Sequence, residues 1–340
     1  MNWEKITEIF NTEKKFRLKQ MKQAIFVDLV DDWNKVTVFP LELRERLNAA
    51  ASLLISGQYF SSKKSESSKV LITLADGNKI ESVLMRHAGG RNTVCVSTQV
   101  GCPLGCTFCA TGKLGFKRNL TVGEILDQVI FFSRHLQAEN EKVNNIVFMG
   151  MGEPFLNYDN VLGAIRIMND QQGLSIGARH ISISTAGIVP GIRKLITEDL
   201  PVNLALSLHA ADDDLRKKLM PVACQYSLVD IFSATDEFIE KTNRKVMLEY
   251  LMIRGVNDRM RDADNLIKLL SGRRLYMINL IRYNPTGIYR ASDMSTVKKF
   301  QDYLHNRGVH VTTRYRFGTD IDAACGQLAA GNTQGVVVKC

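Results

Sequence analysis

The sequence predicts an α/β fold in which a parallel sheet, wound or closed as a barrel, follows a small helical and β-hairpin domain. From about residue 90 onward, short apolar runs rich in β-branched residues alternate with helix-like segments, a pattern typical of parallel sheets. Before residue 90, helical spacing of apolar residues gives way to a hairpin pattern. The 340 residues, 45% of them hydrophobic, suffice for one large core and a small one.

Residues 1–90 are predicted to form the small domain. The segments AIFVDLV and LELRERLNAAASLL have apolar residues at three- and four-residue spacing, which predicts helices up to about residue 60. The polar stretch 61–69 (SSKKSESSK) predicts a linker or an exposed turn. The two alternating runs of VLITLADGNKIESVLM, on either side of Asp76 and Gly77, predict a β-hairpin.

Residues 91–340 are predicted to form the parallel sheet and its helices. The clearest helix covers residues 120–137, where Thr121 and Glu124 form a capping-box pattern ahead of an apolar face. The predicted strands are the apolar runs TVCVS, NIVFM, HISIS, NLALSL, KVMLEYLMI, MINLI and HVTTR.

Short polar or glycine-containing motifs lie at the ends of four predicted strands. They are GMGEP (150–154), TAG (185–187), SLH (207–209) and RYNP (282–285). The carboxyl ends of parallel strands meet at one edge of a sheet, where such folds build their active sites. Four motifs at the same edge therefore predict a site there rather than four ordinary turns.

The charge and the terminal sequence limit the partners and the compartment. A net charge of +9 and a pI near 9.2 favour polyanionic partners such as nucleic acid. No apolar run reaches membrane-spanning length, and the first twenty residues are too charged for a signal peptide. We therefore expect a cytoplasmic protein without a membrane partner.

Seven cysteines, an odd number in a chain of cytosolic character, favour metal binding or thiol chemistry over a disulfide framework. Cys102, Cys106 and Cys109 form a C-x3-C-x2-C pattern in a glycine-containing loop. Three thiolates can hold three irons of a four-iron cluster and leave the fourth iron open for S-adenosylmethionine (SAM). The alternatives are a zinc site with Cys95 as its fourth ligand, and three unrelated buried cysteines.

These motifs resemble a known family. C-x3-C-x2-C is the signature of the radical SAM superfamily, and CPLGCTFCATG, MGMGEP, SISTAG, SLH, NLIRYNP and DIDAACGQL together resemble the RNA adenine methyltransferases of the RlmN and Cfr group. The resemblance implies a partial (β/α)6 radical SAM barrel over residues 91–340 with a C-terminal mobile cysteine loop. It also implies an RNA-binding accessory domain over residues 1–90, one [4Fe-4S] cluster, and two SAM molecules per turnover.

The resemblance further implies roles for two outlying cysteines and a glutamate. Cys325 matches the cysteine that accepts a methyl group from one SAM, and a radical from the second SAM activates that methyl group to add to adenine. Glu81 matches the base that removes the ring proton. Cys95 matches the cysteine that releases the product through a transient disulfide with Cys325. By themselves Cys95 and Cys325 are typical of small core residues, and Glu81 of a solvated strand.

SAM contacts are implied motif by motif. Gly152 and Glu153 match the pair that meets the methionyl amino group, and Leu208 matches a backbone contact. The full set of positions that match SAM-binding residues is Gly152, Glu153, Ser184, Ser207, Leu208, His209 and Asn284.

The resemblance implies methylation of carbon 2 of an adenine in 23S rRNA and, for some members, of a tRNA adenine beside the anticodon. Pro154 favours this branch over the Cfr-type branch, which methylates carbon 8 and confers antibiotic resistance. A different alternative is a non-catalytic, zinc-stabilised RNA-binding module.

Further partners follow from this chemistry. We expect a monomer that needs an electron donor and a disulfide reductant. RNA phosphates would meet the basic clusters at residues 14–17, Lys117–Arg118 and 273–274, of which the second, beside the cysteine loop, is the strongest candidate. Cys224 and Cys340 have no assigned chemistry.

Overall fold

A computed structural model describes residues 1–63, 66–314 and 317–329, together with the backbone of residues 336–339. These residues form eleven α-helices: α1 (Trp3–Asn11), α2 (Lys15–Lys22), α3 (Leu41–Ala50), α4 (Ala110–Lys113), α5 (Val122–Gln137), α6 (Tyr158–Asn169), α7 (Val189–Ile196), α8 (Asp213–Leu219), α9 (Leu228–Thr242), α10 (Met260–Leu270) and α11 (Met294–His305). A π-helical turn (Gln23–Val27) and four 3-10 turns (Trp33–Lys35, Pro154–Asn157, Ala178–His180 and Pro221–Cys224) complete the helical segments of this part of the chain.

Thirteen strands are present in the same ranges: β1 (Ser56–Ser61), β2 (Ser67–Thr73), β3 (Lys79–Arg86), β4 (Asn92–Cys95), β5 (Gln99–Gly101), β6 (Phe116–Asn119), β7 (Asn145–Phe148), β8 (Ile181–Thr185), β9 (Asn203–Ser207), β10 (Val246–Met252), β11 (Tyr276–Arg282), β12 (Val311–Thr313) and β13 (Val336–Lys339). Eleven of them form one sheet in the order β12-β11-β10-β9-β8-β7-β4-β3-β2-β1-β13, and β5 pairs with β6 separately.

The predicted α/β fold with a parallel sheet is confirmed. Every one of the seven predicted apolar runs contains a strand, and these strands pair in parallel from β4 through β12. Helices connect them, so the sheet is covered on its outer side as parallel sheets require. Because β12 and β13 stand at opposite ends of the strand order, this is a partial barrel and not a closed one.

The predicted hairpin is also confirmed, with two corrections around it. β2 and β3 pair in antiparallel fashion, and Gly77 takes the positive φ of 78° that the turn needs. β1 lies within the stretch that was predicted to be helical, and residues 67–69, predicted as a linker, are buried in β2. Both errors have one cause: strand pairing, of β1 with β2 and β13 and of β2 with β3, makes strands of residues whose local pattern is polar.

The hairpin strands continue the barrel sheet, because β3 pairs with β4 in antiparallel fashion. The domain boundary near residue 90 stays a prediction.

Helix α5 begins at the predicted capping box of Thr121 and Glu124 and buries one face. Its Gln128 amide bonds both the N–H and the C=O of Ser97, at 2.7 and 2.9 Å, which fixes the chain just after β4. Among the described residues, no helix combines the length and apolar character that a membrane crossing needs.

Candidate active site

A cavity of about 200 Å³ opens at the carboxyl ends of the parallel strands, where the sequence predicts a site. The predicted site residues that line it are Cys95, Cys102, Cys106, Cys109, Gly152, Glu153, Ser184, Ser207, His209, Asn284 and Cys325. Glu81 and Leu208 do not line it. The cavity thus brings together residues from five strand ends, the cysteine loop and the C-terminal segment.

The cysteine loop is held by short contacts within itself. β5 and β6 bracket it, and the backbone N–H of Cys102 donates to the Gly115 carbonyl at 2.9 Å. Gly101 has a φ of 75°, and a side chain there would collide with that same carbonyl oxygen. Only glycine allows this close approach of the two ends of the loop.

The three loop cysteines are free thiols that face one cavity. Burial raises the pKa of the Cys102 thiol to about 12 and raises the pKa of Cys106 as well, so both need a nearby cationic centre to become thiolates. In the part of the chain that the structure describes, no three His, Cys, Asp or Glu side chains gather as a single metal ion would require. An iron–sulfur cluster takes one thiolate on each of three separate irons, so this donor set fits a cluster better than a zinc ion.

Glu153 joins the ends of β7 and β8. Its buried carboxylate accepts hydrogen bonds from the backbone N–H groups of Phe155 (3.1 Å) and Ala186 (2.8 Å). Burial raises its pKa to about 7, although these hydrogen bonds oppose the rise. Gly152, with a φ of 95°, lies so close to Gln99 that a Cβ atom would come within 2.5 Å of it. A buried carboxyl group is thereby held at the wall of the cavity.

His209 is a neutral hydrogen-bond donor toward the cavity. Its Nδ1 accepts the backbone N–H of Leu251 at 3.1 Å, which leaves the proton on Nε2. Burial lowers its pKa to about 3, and the nearby Arg216 lowers it further. The ring stands edge-on to Phe108 of the cysteine loop, with the centroids 4.8 Å apart.

Leu208 was predicted as a backbone contact to SAM, but its backbone groups are engaged within the protein. Its N–H donates to the Glu249 carbonyl at 3.0 Å, and its C=O accepts from the Arg216 guanidinium at 3.3 Å. The side chain is fully buried. Leu208 therefore anchors the chain between Ser207 and His209 through its backbone hydrogen bonds and its buried side chain.

Cys95 and Cys325 line the same cavity. Cys95 is buried in β4, and Cys325 is half-buried in the C-terminal segment. Burial raises the pKa of Cys95 to about 12, the Cys325 thiol adds to the rise, and the cation of Arg314 opposes it. The Cys325 carbonyl accepts the Asn284 amide at 3.1 Å, which ties the end of β11 to this segment.

Arg314, Glu249 and Asn279 form a polar group in the cavity floor that the sequence analysis missed. Both carboxylate oxygens of Glu249 accept hydrogen bonds from the Asn279 side-chain amide, at 3.2 and 3.0 Å. One of these oxygens lies 3.8 Å from the Arg314 guanidinium. The interaction with the Cys325 sulfur is the main influence that raises the pKa of Arg314. A signal was available, because Glu249 and Asn279 interrupt otherwise apolar strands at paired positions.

The segment around Cys325, expected to be an exposed loop, is packed in this structure. Ala323, Ala324 and Leu328 are buried. The Leu328 carbonyl accepts the Thr111 hydroxyl at 2.6 Å, and the Gly326 carbonyl accepts a backbone N–H of the cysteine loop at 2.8 Å. Cys224 is exposed and outside the cavity, and Cys340 lies outside the described residues.

The strongest predicted phosphate contact is already engaged within the protein. Arg118 pairs with Asp76 at 2.7 Å and with both oxygens of Glu124 at 2.8 Å, and Lys117 donates to Asn78 at 2.9 Å. Two carboxylates offset the charge of Arg118, so this pair is a structural link between the hairpin and α5. Lys117 is exposed and bonds the neutral side chain of Asn78, so the expected RNA contact at Lys117–Arg118 stays a prediction.

Known proteins resemble this chain over most of its length. The family profile of the radical SAM superfamily matches residues 96–267. A probable dual-specificity RNA methyltransferase RlmN of Symbiobacterium thermophilum is 46% identical over 93% of this chain and 86% of its own length. A protein of the same description from Staphylococcus aureus is 44% identical, covering 95% and 89%. The crystal structure of a radical SAM methyltransferase from Sphaerobacter thermophilus superposes with a TM-score of 0.92 at 39% identity, over 96% of this chain and 97% of that one.

Proposed function

This chain belongs to the radical SAM superfamily and to its RlmN-type methyltransferases, and from that premise we propose that it methylates carbon 2 of an adenine in 23S rRNA. Family membership implies a [4Fe-4S] cluster and SAM. The observation that carries the proposal is that Cys95 and Cys325 line the same cavity as the three loop cysteines. A radical initiator alone would not need two further thiols beside it.

The target carbon explains why those thiols are needed. A ring carbon between two nitrogens is electron-poor, so it does not attack the methyl group of SAM directly. We assign Cys102, Cys106 and Cys109 to hold the cluster, and Gly152, Glu153, Ser184, Ser207, His209 and Asn284 to hold SAM. When bound, the cluster supplies the electron that cleaves SAM to a 5′-deoxyadenosyl radical and takes back the electron that the ring adduct loses.

Cys325 carries the methyl group in this proposal. Its thiolate displaces the methyl group of a first SAM, so that an S–CH3 bond forms and S-adenosylhomocysteine leaves. A second SAM provides the radical that takes one hydrogen from that methyl group, and the resulting methylene adds to carbon 2. Arg314 lines the same cavity as both thiols, and its cation opposes the rise in the pKa of Cys95.

Glu81 and Cys95 release the product. We assign Glu81, which lies behind the cavity wall beside the Cys325 segment, as the final acceptor of the proton from carbon 2, and the electron pair of that C–H bond stays in the ring. Cys95 then attacks the sulfur of Cys325, the sulfur–carbon bond breaks with its electrons on the methylene, and a proton completes the new methyl group. The disulfide between Cys95 and Cys325 must afterwards be reduced by an external thiol donor.

The substrate side of the proposal rests on charge and on the relatives. An adenine that enters the cavity must be unpaired or extruded from its helix. The net charge of +9 suits RNA, and we propose that residues 1–90 form the accessory domain that binds it. The relatives are described as dual-specificity enzymes, which supports a tRNA adenine beside the anticodon as a second substrate.

The test is methyl transfer from labelled SAM to an rRNA fragment by the anaerobically reconstituted protein, with mass spectrometry of the modified nucleotide. We expect label on carbon 2, no product with Cys325→Ala, and normal product with the exposed control Cys224→Ala. Turnover retained by Cys325→Ala would refute the thiol route. Label on carbon 8 would assign the chain to the other branch, and a colourless protein with one zinc and no iron would make it a non-catalytic module.

A further inference from the structure

Two buried opposite charges lie beside the cavity, on the strands of the hairpin. Lys69 of β2 is 3% exposed and Glu81 of β3 is 2% exposed, and the Lys69 ammonium lies 2.9 Å from the Glu81 carboxylate. Neither side chain lines the cavity. Burying both charges is costly, and such pairs frequently add nothing to stability compared with apolar residues. Their presence therefore calls for an explanation other than the stability of the hairpin.

The remaining hydrogen bonds of this pair reach the segment that carries Cys325. The second oxygen of Glu81 accepts the backbone N–H of Ala329 at 2.8 Å. The Lys69 ammonium lies 3.4 Å from the backbone carbonyl of Asp322, to which it donates. Asp322 and Ala329 stand three residues before and four residues after Cys325. The charge pair thus holds both ends of the segment.

The same face of β2 is covered by this segment over a longer stretch. Ser67, two residues before Lys69, is fully buried, and a Cβ atom on Gly318 would lie 3.0 Å from its hydroxyl oxygen. β2 and β3 are already joined by strand pairing at seven positions, so the ion pair is not needed to hold them together. What it adds is attachment of the C-terminal segment to the hairpin.

We propose that Lys69 is a positioning residue for two groups in the reaction, Glu81 and Cys325. This inference rests on the proposed roles of those two residues. The Lys69 ammonium lies 2.9 Å from one oxygen of the Glu81 carboxylate, which fixes the direction of the side chain that receives the ring proton. The contacts at Asp322 and Ala329 fix the position of Cys325 relative to the cavity.

The first test needs no enzymatic activity. Hydrogen–deuterium exchange of residues 320–329 is compared between cluster-loaded wild type, Lys69→Met and Lys63→Met. Lys63 is exposed on the same side of the hairpin, and only its backbone bonds the segment, at Asp320, so it is a control for the change of charge. We expect exchange about tenfold faster in Lys69→Met alone. Unchanged exchange in Lys69→Met would overturn the proposed hold on the segment.

The second test separates positioning of the base from general support. With SAM, reductant and an RNA fragment, we expect Lys69→Met to retain Cys325 methylation but to accumulate the covalent RNA–protein adduct at least about tenfold over wild type. Glu81→Gln should behave alike, the double variant should be no worse than Glu81→Gln alone, and Lys69→Arg should restore part of the release.

The outcomes are distinguishable. Loss of Cys325 methylation in proportion to product would show that Lys69 only supports the structure, and would overturn its role toward Glu81. Additive losses in the double variant would do the same. If the wild-type protein forms no methyladenine, the proposed function fails, and the exchange comparison alone then decides whether Lys69 positions the segment.

Discussion

The two ends of the loop that carries Cys102, Cys106 and Cys109 are joined by neighbours in sequence, whereas the segment that carries Cys325 is held by contacts with distant parts of the described chain. The loop closes through β5, β6 and the approach of Gly101 to Gly115. The Cys325 segment depends on Asn284, Thr111, Lys69 and Glu81. The two walls of one cavity therefore differ in how their geometry is specified. The wall that would bind a cofactor is closed locally at its two ends and bonded further to distant residues such as Leu219, and the wall that would carry the methyl group depends on tertiary contacts throughout.

The largest expected effect comes from disturbing the local wall. In Gly101→Ala the new side chain meets the Gly115 carbonyl at a backbone conformation that only glycine adopts without strain. We expect a cost of about 3 kcal/mol in unfolding free energy and loss of iron binding after anaerobic reconstitution. Iron content and thermal unfolding measure this.

Gly105→Ala is the matched control for Gly101→Ala. Gly105 also has a positive φ, of 61°, but no atom lies within 4 Å of a Cβ placed there. We expect a cost of about 1 kcal/mol and normal iron content. Full iron content in Gly101→Ala would contradict the view that close packing of the loop ends determines this wall.

Arg314→Met tests the distant wall electrostatically. It leaves Glu249 buried without a cation. We expect a loss of about 3 kcal/mol in unfolding free energy, because the remaining buried charge is no longer compensated. Arg314→Met with Glu249→Gln should recover part of that loss. Thiol alkylation at Cys95 should need a higher pH in Arg314→Met, and an unchanged pH profile would rule out Arg314 as the cation that lowers the pKa of Cys95.

Acid should lower the unfolding free energy through His209, whose ring packs edge-on against Phe108 of the cysteine loop. Its pKa is about 3 in the folded protein and about 6.5 when unfolded, so the unfolded chain binds a proton first as the pH falls below 6.5. The unfolding free energy is unaffected by His209 protonation above pH 6.5. It falls progressively as the pH is lowered toward 3, by about 3 kcal/mol at pH 4. Unfolding curves of wild type and His209→Asn at pH 7 and pH 4 measure it, and equal acid sensitivity would contradict the assignment.

The smallest expected effect concerns the link between the two walls. Thr111→Val removes the hydrogen bond from the cysteine loop to the Leu328 carbonyl, at a cost of about 1 kcal/mol. We expect normal iron content with faster amide exchange in residues 320–329. Thr107→Val removes a bond from the same loop to the Leu219 carbonyl instead, and should leave that exchange unchanged.

Most of the barrel was predictable because its signals are local and repeated. Apolar runs, the capping box at Thr121 and Glu124, and the turn at Asp76 and Gly77 each determine a strand, a helix start or a hairpin within a few residues. β1 and the start of β2 were predicted wrongly because polar residues there become buried only through strand pairing and cover from the chain's other end. The pairing of Arg118 with two carboxylates was not predictable, because those partners are identified only by the fold.

The sequence by itself determined the cysteine loop, the strand-end motifs and the family to which the chain belongs, because these depend on spacings of a few residues. Only the tertiary structure decided that Glu81 lies outside the cavity and pairs with Lys69. It also decided that both side chains form hydrogen bonds with the backbone of the Cys325 segment. Ala329 and Glu81 are 248 positions apart, and no local pattern encodes a contact at that separation. Such contacts form only once the hairpin has joined the barrel sheet and the C-terminal segment has packed against it.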